Sequence, residues 1–496
     1  MESSCYPDVF QWIGSLPPLR EWKANAMSIC IVSSVSSQPS LNLSLLKNAQ
    51  QTSIRLSIIA DYSIGLNLWT SKSIQIDTRA TNLLGGCRMS SLLMNFIEDV
   101  IGYASYKCIY GAKIPLMEPT IPNFGDVFNL AFLCLSFLVC IYEAPTDLRP
   151  GCLATLQTQL ASHQLREASK SLVKFLGSNL EERWMRSINL AITNWIVELQ
   201  ATNTTVSTLS PLFSYSLSTL GLWKIQLYCP VIAMETECLR CASADERLAF
   251  SLKYHQLEGV IQFNYDVTVE EKWIDVVVNI DNVRFDIVRL LNDGLMKERG
   301  AGVEEKHFPS RISLHLTPIP QTHIISISVG KSSENPTREI GHEKAIETSF
   351  EAQKPFVGIQ ISAAETVSVS LRPWKFEESV NGYSSGFNWY LHDSMDGREV
   401  VTSKPSVLSL LNPRAWFKGR YSSAHRPFTR QGGVIFAGDE YGNSVRWKVD
   451  RSMLGKTLEW EIKGLIWLTY LPNRRRTLYS ETKKLQFRET VTLTVA

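Results

Sequence analysis

Several short constellations carry residue types that could do chemistry. Gly300-Ala301-Gly302 begins like the glycine turn that cradles a pyrophosphate. That chemistry needs a strand, spaced glycines and a helix N-terminus whose amides face the phosphates. The third glycine position holds Glu305, and Glu304 and Glu305 would repel the anion. Gly455-Lys456-Thr457 has the ending of a phosphate-binding loop, but Asp450 stands where its first glycine belongs. A hairpin turn leading into Trp460 is expected there instead. Gly382-Tyr383-Ser384-Ser385-Gly386 spells G-x-S-x-G, and Asp393 and His425 follow in hydrolase order. A nucleophilic serine must sit on a strained turn from a buried strand into a helix. Here polar Glu377-Glu378-Ser379-Val380-Asn381 precedes the match and strand-like Phe387–Tyr390 follows it. The expectation is a loop joining two strands.

Cys238-Leu239-Arg240-Cys241 has the spacing of a zinc knuckle or a redox dithiol. A structural zinc needs two more ligands, and the nearest companion is the single Cys229. A thioredoxin-type site needs a βαβ surround, whereas this neighbourhood is β-rich. The histidines (His163, His255, His307, His315, His323, His342, His392 and His425) include no H-x-x-x-H pair. His315 alternates with Leu314 and Leu316, which predicts a solvent-facing side chain on a strand. Asp393–Glu399 resembles part of a calcium loop without its alternating acids, so a turn at Asp396-Gly397 is expected. No cofactor and no metal are expected.

Two surface features remain. Arg474-Arg475-Arg476 follows Pro472-Asn473, and three adjacent guanidiniums suit a phosphate or an acidic partner. Trp416 sits in Pro413-Arg414-Ala415-Trp416-Phe417-Lys418, where basic and aromatic residues interleave. Trp374, Trp389, Trp447, Trp460 and Trp467 share that half of the chain. Exposed tryptophans stack on sugars or anchor partners, but sandwich cores use them too, and core is the expectation. The expected contact residues are therefore Arg474, Arg475, Arg476 and Trp416, facing an unidentified protein partner.

The elements that must hold these residues follow from composition and period. The 496 residues are 44% hydrophobic and 20% charged, an ordinary globular mix long enough for several domains. The net charge of +2 gives no broad basic footprint, so no nucleic acid is expected. Met1 to Asp8 lacks a basic stretch followed by an apolar run. A cytoplasmic setting is expected, with a nuclear or organellar address left open, and the ten cysteines then read as reduced thiols. Val127–Tyr142 is apolar but short of the roughly 20 residues that span a bilayer, so it is expected as a buried helix and no transmembrane span is expected.

Residues 1–85 read as mixed, with strand alternation at Ser53–Ile59 and Ser73–Ile76. Residues 86–202 read as a helical domain: Ser91–Tyr110, Asp126–Glu143 and Leu153–Phe175 carry helical spacing, and Ser178-Asn179-Leu180-Glu181 fits a capping box for a fourth helix. Residues 203–221 are Ser/Thr-rich and read as a linker. From Leu222 the period becomes two, as in Ile261, Phe263, Tyr265, Val267 and Val269. The parity flips at Asp281-Asn282, which predicts a bulge or a turn. Short strands continue to Val495 without interleaved helices. The fold class is thus α+β and multidomain, a helical N-terminal region followed by an antiparallel β-sandwich-like C-terminal region, with units at 222–335 and 345–496.

Three phrases bear on family. Lys306-His307-Phe308-Pro309-Ser310-Arg311, the run Phe428–Gly442 and Tyr479-Ser480-Glu481-Thr482 resemble an uncharacterised land-plant protein family, with the likeness running over most of the chain. An automatic "erythronate-4-phosphate dehydrogenase family" label is associated with such proteins. The resemblance supplies no site residues, and a dehydrogenase would need the fingerprint that Gly300-Ala301-Gly302 lacks. The function expected is a non-catalytic interaction or scaffold protein of plants. The alternatives are an enzyme with an unrecognised site near His425, Asp439 or Glu440, and a sugar-binding sandwich. Replacing Arg474, Arg475, Arg476 and Trp416 by Ala is expected to leave folding intact and to remove a pulled-down partner. Retained capture would rule these contacts out.

Overall fold

Asp8 accepts a hydrogen bond from Gln11 N at 2.8 Å and so caps helix α1 (Val9–Ser15). The computed structural model describes residues 6–33, 39–48, 53–76, 86–104, 121–160, 162–201, 213–240, 245–291, 294, 305–329, 338–344, 365–371, 374–392, 399–400, 434–437, 444–471 and 479–495. An antiparallel sheet follows α1: β1 (Ala26–Val32), β2 (Leu41–Lys47), β3 (Ser53–Ala60) and β4 (Leu66–Thr70), with β5 (Ile74–Gln75) also paired to β3. Leu41, Leu43 and Leu45 on β2 and Ile54, Leu56 and Ile58 on β3 are all fully buried. The alternation at 53–59 is therefore one buried face, and the mixed N-terminal segment is a sheet laid on helices.

Those helices are α2 (Gly86–Ala104), α3 (Phe124–Glu143), α4 (Arg149–Leu160) and α5 (His163–Ala201). α3 is their hub, touching α1, α2, α4, α5 and β4. It runs 20 residues, longer than the apolar run because Phe124, Gly125 and Asp126 join it. By length and composition it is long and apolar enough to cross a membrane, and 78% of its most apolar stretch is buried within the protein. Its polar residues are satisfied there. Asn129 accepts from Phe10 N and donates to Asp8, each at 3.0 Å, and Ser136 Oγ donates to Phe132 O at 2.9 Å. The helix expected over Leu153–Phe175 divides instead between α4 and α5. Gly177, at φ 68° and ψ 168°, interrupts α5 just before the expected capping box. Glu181 does not cap: its carboxylate accepts from Tyr215 and, at 2.9 Å, from Tyr228.

The rest of the chain is β6 (Ser214–Thr219), β7 (Leu222–Pro230), β8 (Glu235–Arg240), α6 (Glu246–Lys253), β9 (His255–Val269), β10 (Trp273–Arg289), β11 (Phe308–Ile319), β12 (Ile324–Val329), β13 (Arg338–Lys344), β14 (Glu365–Leu371), β15 (Trp374–Asn381), β16 (Ser384–Leu391), β17 (Val434–Ala437), β18 (Ser444–Asp450), β19 (Thr457–Tyr470) and β20 (Ser480–Thr494). They make two large antiparallel sheets and a two-stranded one, β13–β14. One sheet runs β12-β18-β10-β9-β7-β6, with β17 also on β10; the other runs β15-β16-β11-β19-β20-β8. The parity flip is a bulge, where the β9–β10 register shifts between Ile280 and Asn282.

Strands from 222–335 and 345–496 share both sheets: β10 pairs with β18, and β11 with β16 and β19. The expectation of two successive sandwich-like units gives way to one pair of layers threaded by both segments. The segment expected as a linker supplies β6. Its Ser214 and Ser216 are buried by hydrogen-bonding Glu489 and Thr490 of β20, so burial there leaves little apolar signature.

Between the layers, Trp460 lies 5.3 Å from Trp223 and 5.9 Å from Trp447, centroid to centroid. Trp223 and Trp447 donate their indole N–H groups to Thr492 O and Tyr383 O, each at 2.9 Å. Gly464 on β19 faces Phe487 on β20, and a Cβ there would fall 2.0 Å from the Phe487 ring. Gly464→Ala should therefore destabilise the fold by roughly 1–3 kcal/mol, the usual cost of overpacking, in urea unfolding. An unchanged midpoint would contradict this packing.

Candidate functional site

Four strand ends meet beside α6 and bring together residues far apart in sequence. His255 opens β9, His307 precedes β11, Tyr470 closes β19, and Glu481 lies opposite Tyr470 at the start of β20. His307 Nε2 is 2.8 Å from Glu481 Oε1. The His255 ring stands edge-on to His307 at 6.2 Å, and the Tyr470 ring lies 6.1 Å from His307 on another side. Tyr470 donates its hydroxyl to Glu305 Oε2 at 3.1 Å, and Tyr479 packs on the Tyr470 ring. Leu248 and Leu252 of α6 cover this group. His255 and His307 are both 0% exposed.

The electrostatics follow from burial among few partners. Burial raises the Glu481 carboxyl, but the His307 hydrogen bond and charge, Lys483 and Tyr479 outweigh it and hold the group at about 2. Burial first, then the charges of His307, Arg289 and Lys306, push His255 well below its ordinary value. Both ring nitrogens of His255 and Nδ1 of His307 lack a hydrogen-bond partner among the described residues. His307 and Glu481 are joined by one hydrogen bond, and both histidines of the cluster are closed to solvent. Spacing could not find it, because 255, 307 and 481 obey no motif. A weak signal did exist: two of the three family-like phrases meet at the His307–Glu481 contact.

A second polar group joins α5 to the sandwich. Arg186 forks onto Glu258 of β9 at 2.7 and 3.1 Å, and Asn189 donates to Gln256 at 2.6 Å. Arg166 and Ser214 both bond Glu489, at 2.7 and 2.6 Å. A cavity of about 50 Å³ lies between α3, α5 and β6, with Phe137, Trp184 and Tyr215 in its wall.

Arg474, Arg475, Arg476 and Trp416 lie outside the described residues, as do Gly300-Ala301-Gly302, Cys241, Asp393, Asp396, His425, Asp439 and Glu440. Cys238 lies opposite Thr482, on β8. The G-x-S-x-G letters form a turn and a strand: Gly382 has φ 60°, and Ser384 on β16 shares a 2.8 Å hydrogen bond with Thr317. Gly455 turns the chain at φ 75° into β19 and donates to Val495 O at 2.8 Å. His315, expected to face solvent, is half-buried: its ring is 3.2 Å from Ser313 Oγ and lies beside Gly386 on the neighbouring strand β16. Trp374, Trp389, Trp447, Trp460 and Trp467 are at most 6% exposed, so none offers a sugar platform. No group of His, Cys, Asp or Glu among the described residues is arranged to hold a metal ion.

The two layers present four edges, and they differ. β6 is closed against β20, where Ser216 Oγ donates to Thr490 O and Thr492 N donates to Ser218 Oγ. β8 exposes Glu235 and Glu237, and β15 exposes a Lys375–Glu377 ion pair. Such charges discourage strand addition. β12, Ile-Ile-Ser-Ile-Ser-Val, carries no charge, and Ile325 and Val329 are 51% and 37% exposed. A bulge at Ile325 leaves Ser326–Val329 as its regular run beside β18.

No family model and no curated protein matches the chain in sequence. Solved structures give a distant likeness. It is similar to the Clostridium perfringens delta-toxin at 8% identity and TM-score 0.24, over 56% of this chain and 94% of that one. It is similar to the membrane-inserted Clostridium perfringens NetB toxin at 10% identity and TM-score 0.19, over 56% and 93%. A structure described as a pore forming protein matches at 10% and 0.20, over 56% and 94%. At these TM-scores the likeness carries no functional argument.

His255 gives this site a measurable signature. Its folded form resists protonation, so below the ordinary value of 6.5 the unfolded chain binds more protons and stability falls with pH. Glu481 adds a loss as pH falls from 4.5 toward about 2. Glu181 and Glu258, raised first by burial, act in the opposite sense above 4.5. The comparison is therefore between variants: His255→Asn should lose less stability than wild type between pH 7 and pH 5 in urea unfolding. Parallel losses would remove His255 from this role.

Proposed function

We propose that the protein is a non-catalytic interaction or scaffold protein, and that its partner adds an extended segment to the edge of β12 with which no described strand pairs. The observation behind this reading is the contrast among the sandwich edges. Among the described residues one is closed, two are charged, and β12 presents uncharged backbone flanked by exposed Ile325 and Val329. Strand addition draws affinity from main-chain hydrogen bonds and specificity from alternate side chains. An alternation of apolar and hydroxyl residues suits a partner segment that is itself apolar and uncharged at alternate positions. The Arg474–Arg476 run and Trp416 enter as sequence-derived contacts only, and the land-plant, cytoplasmic setting as a sequence expectation.

A photo-crosslinking side chain placed at Ser328 should trap a partner in native cells, while the same group at Glu377 on β15 should not. Ile325→Lys with Val329→Lys should abolish the Ser328 product and change stability by no more than about 0.5 kcal/mol, as expected for exposed positions. Equal trapping at both strands, or trapping that survives the lysines, would overturn the proposal.

A further inference from the structure

We infer that the cavity between α3, α5 and β6 is a binding site for a small uncharged molecule that brings one hydrogen-bond-accepting oxygen. The site is separate from the β12 edge, and its position follows from a break in α5. Gly177 takes φ 68° and ψ 168°, a backbone setting open in practice to glycine alone, so the two halves of the helix do not run on as one cylinder. Leu172 comes from the half before the break, and Trp184, Met185 and Ile188 come from the half after it. All four line the cavity, and Phe137 of α3 adds to the same apolar wall. Arg166, near the start of α5, also lines it. Its side chain is 35% exposed, so the approach from solvent runs past it.

The polar part of the wall selects the ligand. Arg166 Nη2 donates to Glu489 Oε1 at 2.7 Å, so the guanidinium charge is already met by a buried carboxylate. Ser214 donates to the same oxygen at 2.6 Å, and Tyr215 donates to Glu181. Arg166 Nε differs: it is buried and has no hydrogen-bond partner among the described residues. A buried donor left unpaired is destabilising, so a ligand that supplies an acceptor there is favoured. A hydrocarbon would leave Nε as it is. An anion would make the hydrogen bond but would stand against the Glu489 charge. An uncharged oxygen satisfies Nε without that repulsion.

Size sets the other limit. The cavity measures about 50 Å³, whereas a dry apolar cavity of about 150 Å³ admits benzene, so the ligand has only a few heavy atoms. Met185 gives the wall some room, because its unbranched side chain adapts to the shape beside it. Short ketones, aldehydes and alcohols meet both requirements.

The test follows isotope-labelled methionine methyl groups of the full chain by NMR during titration with acetone, acetate and isobutene, which share a shape and differ in charge and oxygen. Met185→Leu identifies the Met185 signal. Acetone should shift that signal saturably and leave Met89 and Met453, buried elsewhere, unmoved. Isobutene should bind several-fold more weakly, and acetate should not bind. Arg166→Lys keeps a charge opposite Glu489 but lacks the Nε donor, and it should weaken acetone to the level of isobutene. Leu172→Phe should fill the space and abolish both shifts. Absence of a saturable Met185 shift would mean that the cavity takes water only and would overturn the site, as would saturation retained in Leu172→Phe. Acetate or isobutene binding as tightly as acetone, or acetone binding unchanged in Arg166→Lys, would overturn the ligand class drawn from Arg166.

Discussion

Trp460 of β19 is held between Trp223 of β7 and Trp447 of β18, and this contact is what lets two sheets built from distant chain segments become one layer pair. Each indole is 0% exposed. Aromatic pairs in such tilted and edge-on geometry contribute about 0.5–1.5 kcal/mol beyond the area they bury. Their larger effect is on shape. Trp223 and Trp447 carry N–H groups that burial would strand, and Thr492 O on β20 and Tyr383 O in the turn between β15 and β16 accept them. The contact is therefore apolar in its area and polar in its register, and a sliding of one sheet over the other would break both hydrogen bonds.

Using the tryptophans inside has consequences for the surface. The inner faces consume the large apolar side chains, so what the sandwich presents outward is decided at its edges. The β6 edge closes on β20, and α5 locks over the same region through Arg186–Glu258 and Glu181 with its two tyrosines. α5 also carries the helical layer, so the hub helix α3 and the sandwich are mechanically joined by a polar seam. At the other end of that sheet no described strand pairs with the outer edge of β12, which approaches β15 of the second sheet. The functional proposal follows from that asymmetry.

Periodicity carried the local reading a long way. The alternation at Ile261, Phe263 and Tyr265 faces the core and gives out at exposed Val269, the parity flip at Asp281 is a bulge, and Val127–Tyr142 is the buried part of α3. Partnership was not legible, because the hydrogen bonds that set strand order are backbone groups common to every residue. Nothing in Val276 or Trp447 announces that they pair across the chain. Hydroxyl-rich β6 hid for a related reason: Ser214 and Ser216 satisfy burial by hydrogen bonds. Glu181 sat where a capping box places its acid, yet two buried tyrosines on the sheet compete for the carboxylate and win. The His255, His307 and Glu481 cluster is likewise a product of topology, drawn from the ends of strands that only the fold brings together.

The measurement that bears most directly on this account is native-state hydrogen exchange in rising, sub-denaturing urea, followed amide by amide in β9–β10 and β19–β20. If the tryptophan contact makes one cooperative core of both segments, the slowest amides in the two strand pairs open with the same free energy and the same urea dependence. If β19–β20 opens well before β9–β10, the sheets are separately stable and the single-core account is wrong.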